Sequence, residues 1–160
     1  MKRIVCDTSP LNYLIQIAMI GFLPSFFREV VIPKSVHHEL MASPAPRAVR
    51  QWGGDLPTWC AVAEPSTRSK DRFPGLSDTD HDVIQLASEN GSAVMLDDLA
   101  ARRATRSLGL PLLGTLGFLE LVASENLIQL PEAIRRLKQT NIRVSEALYA
   151  EVLLRHGYEP

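Results

Sequence analysis

Short apolar runs alternate along the chain with longer segments whose apolar residues recur at helical spacing. Two of these runs end in aspartate: Ile4–Cys6 precedes Asp7, and Ala93–Leu96 precedes Asp97 and Asp98. Runs of this length with β-branched residues are typical of strands buried in a parallel sheet. Because ligands bind outside the carboxyl ends of such strands, we expect Asp7 and Asp97 to belong to one site.

The rest of the pattern predicts further strands and helices in alternation. The other predicted strands are 30–32, 59–63 at an edge of the sheet, and 111–113; the predicted helices are 10–18, 33–40, 77–90, 99–108 and 115–124, with two more opening near Pro131 and Ser145. The segments 41–46, 53–54 and 64–75 are expected to be loops. This alternation predicts an α/β fold, a three-layer α/β/α sandwich with a mostly parallel central sheet. With 160 residues we expect a single domain, whose C-terminal helices of about 130–157 pack on it or at a dimer interface.

Composition and charge are those of a soluble globular protein. Hydrophobic residues make up 46% and charged residues 22% of the chain, and no apolar run is long enough to span a membrane. Met1–Arg3 resembles the basic start of a signal peptide, but Asp7 interrupts the apolar run that would have to follow, so we expect a cytoplasmic protein. Cys6 and Cys60 lie far apart and indicate neither a disulfide framework nor a cysteine zinc site. The net charge of −1 gives no overall attraction to nucleic acid, although an acidic active site would itself lower that sum.

The strand-end aspartates have two interpretations. Aspartate at the start of a helix is a good N-cap, and Asp98 fits this role because a helix begins at the next residue. Asp7 fits it less well, since residues 8–10 lie nearer to the predicted helix start. We therefore predict a functional role for Asp7 and Asp97 and a capping role for Asp98.

The predicted helix 77–90 carries aspartates on two faces. At 100° per residue, Asp80 falls on the apolar face, whereas Asp78 and Asp82 fall on the opposite, solvent-facing side. A charge on a buried face is costly unless it is paired or bound to a cation, so Asp80 is a candidate site residue. The alternative is a capping box in which Asp80 reaches back to Ser77, and both roles can hold together.

Glu39 lies at the border of the apolar face of the short helix 33–40. With Asp7, Asp80 and Asp97 it would place four carboxylates at one sheet edge. Carboxylates this close repel one another unless a cation intervenes. Oxygen ligands without cysteine indicate Mg²⁺ or Mn²⁺ rather than zinc, and such an ion polarises a phosphodiester and generates hydroxide from water.

Several motifs occur in order over nearly the whole chain. They are VCDTSPL (5–11), VIP (31–33), VHHEL (36–40), LSDTD (76–80), VIQLA (83–87), LDD (96–98), AAR (100–102) and GTLG (114–117). No single motif is distinctive, but the series resembles the PIN-domain ribonucleases, in particular the VapC-like toxins of prokaryotic toxin–antitoxin pairs and their uncharacterised relatives.

The resemblance implies a PIN-like fold of Rossmann-like topology and a Mg²⁺- or Mn²⁺-dependent endoribonuclease. Such an enzyme cuts RNA by water attack and leaves 5′-phosphate and 3′-hydroxyl ends. The family's acidic catalytic and metal-binding positions fall on Asp7, Glu39, Asp80 and Asp97. Homodimers and a small antitoxin partner are usual in similar proteins.

The resemblance also assigns supporting hydroxyl groups. Thr8 or Ser9 matches a hydroxyl that hydrogen-bonds around the metal, and Thr115 matches a later one. The chain departs from the family pattern at Asp80, where members of this type commonly carry the longer glutamate.

Basic residues near the predicted site are candidates for contact with RNA. Arg102, Arg103 and Arg106 share one face of the helix after Asp97, and further candidates are Lys34, Arg68, Lys70 and Arg72. The alternative is a solvated charged face. No aromatic interleaving indicates a platform for stacking single-stranded bases.

Two other functions stay open at this stage. A catalytically degenerate domain would bind RNA or a partner without cutting, and Asp80 in place of glutamate is the feature that favours it. An aspartyl-phosphate phosphatase would use Asp7 as a nucleophile. Phosphatases that resemble the haloacid dehalogenases carry a second aspartate two positions later, where this chain has Ser9.

Overall fold

The computed structural model describes residues 2–68 and 71–160 of the chain. Lys70, one of the candidate RNA contacts, lies outside the described residues. The chain divides into two compact units, Met1–Thr115 and Leu116–Pro160. None of the helices in the described part is long and apolar enough to cross a membrane.

Five parallel strands form one sheet in the first unit. They are β1 (Arg3–Cys6), β2 (Glu29–Pro33), β3 (Cys60–Ala63), β4 (Ala93–Met95) and β5 (Leu112–Leu113), in the spatial order β3-β2-β1-β4-β5. All the predicted strands are confirmed, and the strand at 59–63 lies at an edge as expected. In the described residues the sheet is entirely parallel, and its central strands are buried.

Nine α-helices accompany the sheet in the described part of the chain. They are α1 (Thr8–Gln16), α2 (Leu23–Phe26), α3 (Lys34–Met41), α4 (Arg47–Gly54), α5 (Asp78–Asn90), α6 (Leu99–Ser107), α7 (Thr115–Ser124), α8 (Leu130–Lys138) and α9 (Glu146–Arg155), with a 3-10 turn at Ile20–Phe22. Except for α2 and α4, these match the predicted helices within about two residues at either end. The α/β class is confirmed.

The strand order determines where the helices and a ligand can lie. From β1 the chain moves outwards to β2 and β3, then returns across the sheet through α5 to β4 and β5. Because parallel crossovers are right-handed, the two halves place their helices on opposite faces of the sheet. Adjacent strands β1 and β4 are therefore the switch point, and ligands of open α/β sheets bind outside the carboxyl ends of such strands.

The two glycines predicted to mark a loop at 53–54 end helix α4 instead. Gly53 is buried, and a Cβ atom there would lie 3.1 Å from Met41 Cγ and 3.2 Å from Leu40 Cβ. The imidazole of His37 also hydrogen-bonds Gly53 O at 2.7 Å. The glycine thus permits the close packing of α3 and α4, a reason that no local pattern displays.

The first helix begins two residues earlier than predicted. Thr8, rather than Pro10, is its first residue, and it ends at Gln16 before Ala18, which has φ 59°. Pro10 falls in the first turn, where a backbone N–H has no partner within the helix and its absence costs little. The consequence is that Asp7 occupies the N-cap position.

The second unit contains most of α7 and the helices α8 and α9. The buried apolar side chains of α8 and α9 include Ile134, Leu137 and Val152, whereas Leu148 and Leu154 on α9 are 41% and 61% exposed. Glu120 of α7 binds both Arg155 and His156 at the end of α9.

Candidate active site

Asp7 is a buried carboxylate at the carboxyl end of β1. It is 7% exposed, and although it occupies the N-cap position of α1, its side chain makes no capping hydrogen bond. Burial raises the pKa of Asp7 to about 7; the backbone N–H of Thr8 opposes this rise, and the charges of Asp80, Glu39 and Asp97 add to it. Asp7 is thus electrostatically coupled to the three other predicted carboxylates.

Glu39 is held between two helices by hydroxyl groups. Thr8 Oγ1 of α1 donates to Glu39 Oε2, and Thr79 Oγ1 of α5 donates to Glu39 Oε1 at 2.7 Å. Each carboxylate oxygen therefore has its own donor, although Glu39 itself is exposed. Of the two hydroxyl residues Thr8 and Ser9, only Thr8 donates to one of the four carboxylates in the described part of the chain, and Ser9 is exposed.

Asp97 follows β4 and is fixed by a single residue, Thr115. The Thr115 backbone N–H donates to Asp97 Oδ1 at 2.8 Å, and its hydroxyl donates to Oδ2 at 2.6 Å. Thr115 is fully buried at the start of α7. These two hydrogen bonds from Thr115 fix the orientation of the Asp97 carboxylate at the edge of the sheet.

Asp80 forms the capping box that the sequence offered as an alternative. Its backbone N–H donates to Ser77 Oγ at 3.0 Å, and its Oδ2 accepts from the Ser77 N–H at 3.3 Å. Burial raises the pKa of Asp80, the bonds from Ser77 lower it, and the charges of Asp98 and Glu39 raise it again. Asp80 is therefore both a helix cap and a neighbour of the other carboxylates.

The remaining aspartates near the site have structural roles. Asp98 is the N-cap of α6, where its side chain accepts from the Ala101 N–H at 2.9 Å, as predicted. Asp78 is exposed, also as predicted. The prediction for Asp82 was wrong: it is only 6% exposed, accepts from Ser35 Oγ at 2.8 Å, and lies 3.4 Å from Arg68 Nε. Ser35 of α3 and Arg68 cover this side of the helix, and a helical wheel does not show such contacts.

The chemistry of these donors fits a hard divalent cation. All four side chains offer oxygen only, the ligand type of Mg²⁺ and Mn²⁺. Asp7 is buried among three like charges, an arrangement that a bound cation would stabilise. In residues 2–68 and 71–160, however, no three acidic, histidine or cysteine side chains converge closely enough to hold one ion. The four carboxylates therefore lie near one another, but within the described residues they do not surround a single point.

The three arginines predicted to form a basic face on α6 differ in their exposure to solvent. Arg103 and Arg106 are exposed, as is Lys34 at the start of α3, whereas Arg102 is half-buried. Arg102 Nη1 donates to Leu96 O at 2.7 Å, and a Cβ atom on Gly114 would lie only 2.7 Å from that nitrogen and 3.1 Å from Asp97 Oδ1. Burial and Arg106 lower the pKa of Arg102, while Asp97 raises it. Because Gly114 has no side chain, the Arg102 guanidinium has room to bind Leu96 O, and this bond supports the residues around Asp97, here called the Asp97 loop (96–98).

Thr79 is a partner of the candidate site residue Glu39 that the sequence analysis does not predict. The signal was present as a hydroxyl residue beside Asp80 on the first turn of the helix, but only the packing of α3 against α5 shows that it meets Glu39.

Replacing Thr79 by valine keeps its shape and removes the donor to Glu39 Oε1. We expect a loss of roughly tenfold in binding of Mn²⁺ measured by calorimetry, because the supporting partners of metal ligands typically contribute this much. Thr79→Ser restores the hydroxyl and is expected to restore affinity. Equal affinity of the valine and wild-type proteins would contradict a role for Thr79 in positioning Glu39.

A family model described as a PIN domain matches residues 3–158. No curated protein matches the chain. PIN domains are generally nucleases and generally use divalent metal ions. The five-stranded parallel sheet agrees with a PIN-like α/β sandwich, and the matched range covers nearly every residue. The chain therefore belongs to the PIN-domain family.

Proposed function

We propose that this protein is a Mg²⁺- or Mn²⁺-dependent endoribonuclease. The observation that carries the proposal is the coupling of Asp7, buried at the switch point of the sheet, to Glu39, Asp80 and Asp97. A single acid with a shifted pKa can belong to a structural ion-pair network, but four neighbouring carboxylates at the ligand-binding edge of an α/β sheet indicate a functional site.

The four carboxylates would hold the metal. The chemistry that a bound Mg²⁺ or Mn²⁺ supplies is a hydroxide at neutral pH and neutralisation of charge on a phosphodiester. The protein supplies rigid orientation: Thr8 and Thr79 fix Glu39, and Thr115 fixes Asp97. Such preorganisation removes the cost of arranging charged groups during the reaction.

Exposed cations beside the site would contact the phosphates of RNA. Lys34, Arg103 and Arg106 are exposed, and the last two lie on α6 directly after Asp97 and Asp98. Arg102 has a different role in this proposal, since its guanidinium is bonded to Leu96 O and supports the loop that carries Asp97.

The experiment combines purified protein with structured RNAs and Mn²⁺. We expect internal cleavage that leaves 5′-phosphate and 3′-hydroxyl ends, that stops with a chelator, and that resumes when Mn²⁺ is restored. Cleavage that persists in chelator, or products with 2′,3′-cyclic phosphate ends, would contradict water attack assisted by a metal.

A domain that binds RNA or a partner without cutting is the second candidate. It is favoured by Asp80, which is shorter than the usual glutamate and whose Oδ2 is engaged in the capping box. Metal-independent binding of an RNA without cleavage would support this candidate. The phosphatase alternative has no such support, because Ser9 stands where its second aspartate is needed.

The proposal extends to a toxin-type role in the cytoplasm, with a small antitoxin and a homodimer as partners. It treats residues 1–160 as one PIN-like domain whose C-terminal helices pack on it or serve a dimer interface. The exposed Leu148 and Leu154 of α9 support an interface of this kind. Light scattering, alone and with the product of any small neighbouring gene, tests it.

A further inference from the structure

Two side-chain hydrogen bonds join helices α3 and α5. Thr79 Oγ1 of α5 donates to Glu39 Oε1 at 2.7 Å, and Ser35 Oγ of α3 donates to Asp82 Oδ2 at 2.8 Å. In each bond a hydroxyl of one helix meets a carboxylate of the other. Residues at i and i+4, or at i and i+3, share one face of a helix, so both bonds lie in the same interface, about one helical turn apart.

The bond between Ser35 and Asp82 lies deeper than the bond at the candidate site. Asp82 is 6% exposed and Ser35 is partly buried, whereas Glu39 is exposed. The second oxygen of Asp82 lies 3.4 Å from Arg68 Nε, so each of its oxygens has a partner. A buried charge with such partners adds little stability compared with an apolar residue of similar volume, but it can fix the register between two elements.

Glu39 needs a fixed helix as well as fixed oxygens. Three rotatable bonds join its carboxylate to the backbone, so the hydroxyls of Thr8 and Thr79 hold the end of the side chain but not the helix that carries it. A displacement of about 1 Å in an active site can cost roughly a hundredfold in rate. The bond between Ser35 and Asp82, one turn away from Glu39, opposes both sliding and rotation of α3 against α5.

We propose that Asp82 is a positioning residue for Glu39: by accepting from Ser35 it holds α3 against α5, so that Glu39 stays among the four carboxylates. The proposal rests on the nuclease function proposed above, because it concerns how one of the metal ligands is held. In this role Asp82 contacts neither metal nor RNA, since its two oxygens are engaged by Ser35 and Arg68.

The test compares Mn²⁺ affinity, measured by calorimetry, with urea unfolding in chelator. Leucine has the same branched shape as aspartate, and an apolar replacement of a buried ion pair is often neutral or stabilising. We expect Asp82→Leu to unfold at the urea concentration of the wild type or above it, and yet to bind Mn²⁺ about three- to tenfold more weakly, less than the loss of a direct partner of a metal ligand. Ser35→Ala, which removes the donor, should weaken binding by a similar factor. A purely stabilising role of Asp82 would not lower the affinity of a variant whose stability is unchanged.

Two control variants separate position from charge and from a general effect on α5. Asp82→Asn removes the charge but keeps an oxygen that can accept from Ser35, so its Mn²⁺ affinity should stay within about twofold of the wild type. Ser66→Ala removes a hydroxyl that donates to Glu89 of the same helix and should leave the affinity unchanged. If Ser35 and Thr79 both act through Glu39, Ser35→Ala combined with Thr79→Val should bind Mn²⁺ as Thr79→Val does.

A second measurement needs no metal. Amide hydrogen exchange in chelator should be faster at residues 38–41 in Ser35→Ala and Asp82→Leu than in the wild type and Ser66→Ala, because the end of α3 loses its link to α5.

The outcomes distinguish this proposal from the nuclease function. Wild-type affinity for Mn²⁺ in both Ser35→Ala and Asp82→Leu would overturn the positioning role and leave the metal site standing, and so would an equal loss in Asp82→Asn and Asp82→Leu, which would be an effect of charge. No binding of Mn²⁺ by the wild type, with faster exchange in the two variants, would refute the metal site and leave the link between Asp82 and the Glu39 helix standing. Unchanged exchange in the two variants would overturn the link itself.

Discussion

Replacing Asp7 by asparagine is expected to stabilise the metal-free protein at pH 8 while abolishing the metal-dependent cleavage of RNA that we propose for it. Burial, with the three neighbouring charges, raises the pKa of Asp7 from 3.8 to about 7. Between these values the folded protein binds a proton that the unfolded chain does not, so the free energy of unfolding falls as pH rises through this window. Asparagine has no charge to lose, so its burial carries no such penalty.

The measurement is urea unfolding of both proteins in chelator at pH 4, 6 and 8. The stability of the variant relative to the wild type should increase by roughly 2–4 kcal/mol across the series and level off above the folded pKa. Asp55→Asn, at an exposed position just after α4, is the control and should show little change. A pH-independent difference between Asp7→Asn and wild type would show that Asp7 is not held in a charge-disfavouring site.

Restoring Mn²⁺ should reverse the ranking of the two proteins. A ligand that binds only the folded state stabilises it, and the wild type offers the full set of carboxylates. We expect the wild type to gain thermal stability with Mn²⁺ and Asp7→Asn to gain much less. The residue would thus lower the stability of the apo protein for the sake of its function, as is usual at active sites.

Asp97→Asn is expected to lower the rate of RNA cleavage at least about a hundredfold, whereas Asp98→Asn changes it by less than about threefold. In the proposed mechanism Asp97 helps to hold the metal, and the loss of its charge would remove several kilocalories per mole of transition-state stabilisation. Asparagine at 97 can still accept from the Thr115 N–H, and its amide N–H can donate to the Thr115 hydroxyl, which reverses the second bond; asparagine at 98 remains a good cap for α6. Both variants should therefore fold.

Adjacent positions make this a matched comparison. The test measures the cleavage rates of the wild type and both variants with Mn²⁺ at a fixed RNA concentration, and circular dichroism confirms that the variants are folded. Equal losses in the two variants would mean that Asp98, whose charge also reaches Asp80, belongs to the site. Unchanged activity of Asp97→Asn would refute the proposed arrangement of carboxylates.

Much of the fold could be predicted from local sequence patterns. Apolar runs marked every strand, and helix α5 was correctly bounded by Ser77 and Gly91, because a cap and a left-handed C-terminal residue are written into the neighbouring sequence. Helix α4 was not predicted, because its two glycines are typical of a loop; Gly53 is needed there for its close contact with α3. Asp82 was misplaced for a similar reason, as its partners Ser35 and Arg68 come from elsewhere in the chain.

The sequence by itself determined which acids follow strands, which of them caps a helix, and that the candidate site residues offer oxygen atoms, because these properties depend on a residue and its near neighbours. Only the tertiary structure decided that β1 and β4 are adjacent, that Thr79 and Thr8 hold Glu39, and that Arg102 braces the Asp97 loop beside Gly114. These pairs are far apart in sequence, and their contacts arise from the packing of whole elements. The position of each aspartate at the end of a strand could be predicted from the neighbouring sequence. The burial and the neighbouring charges that raise the pKa of Asp7 could not.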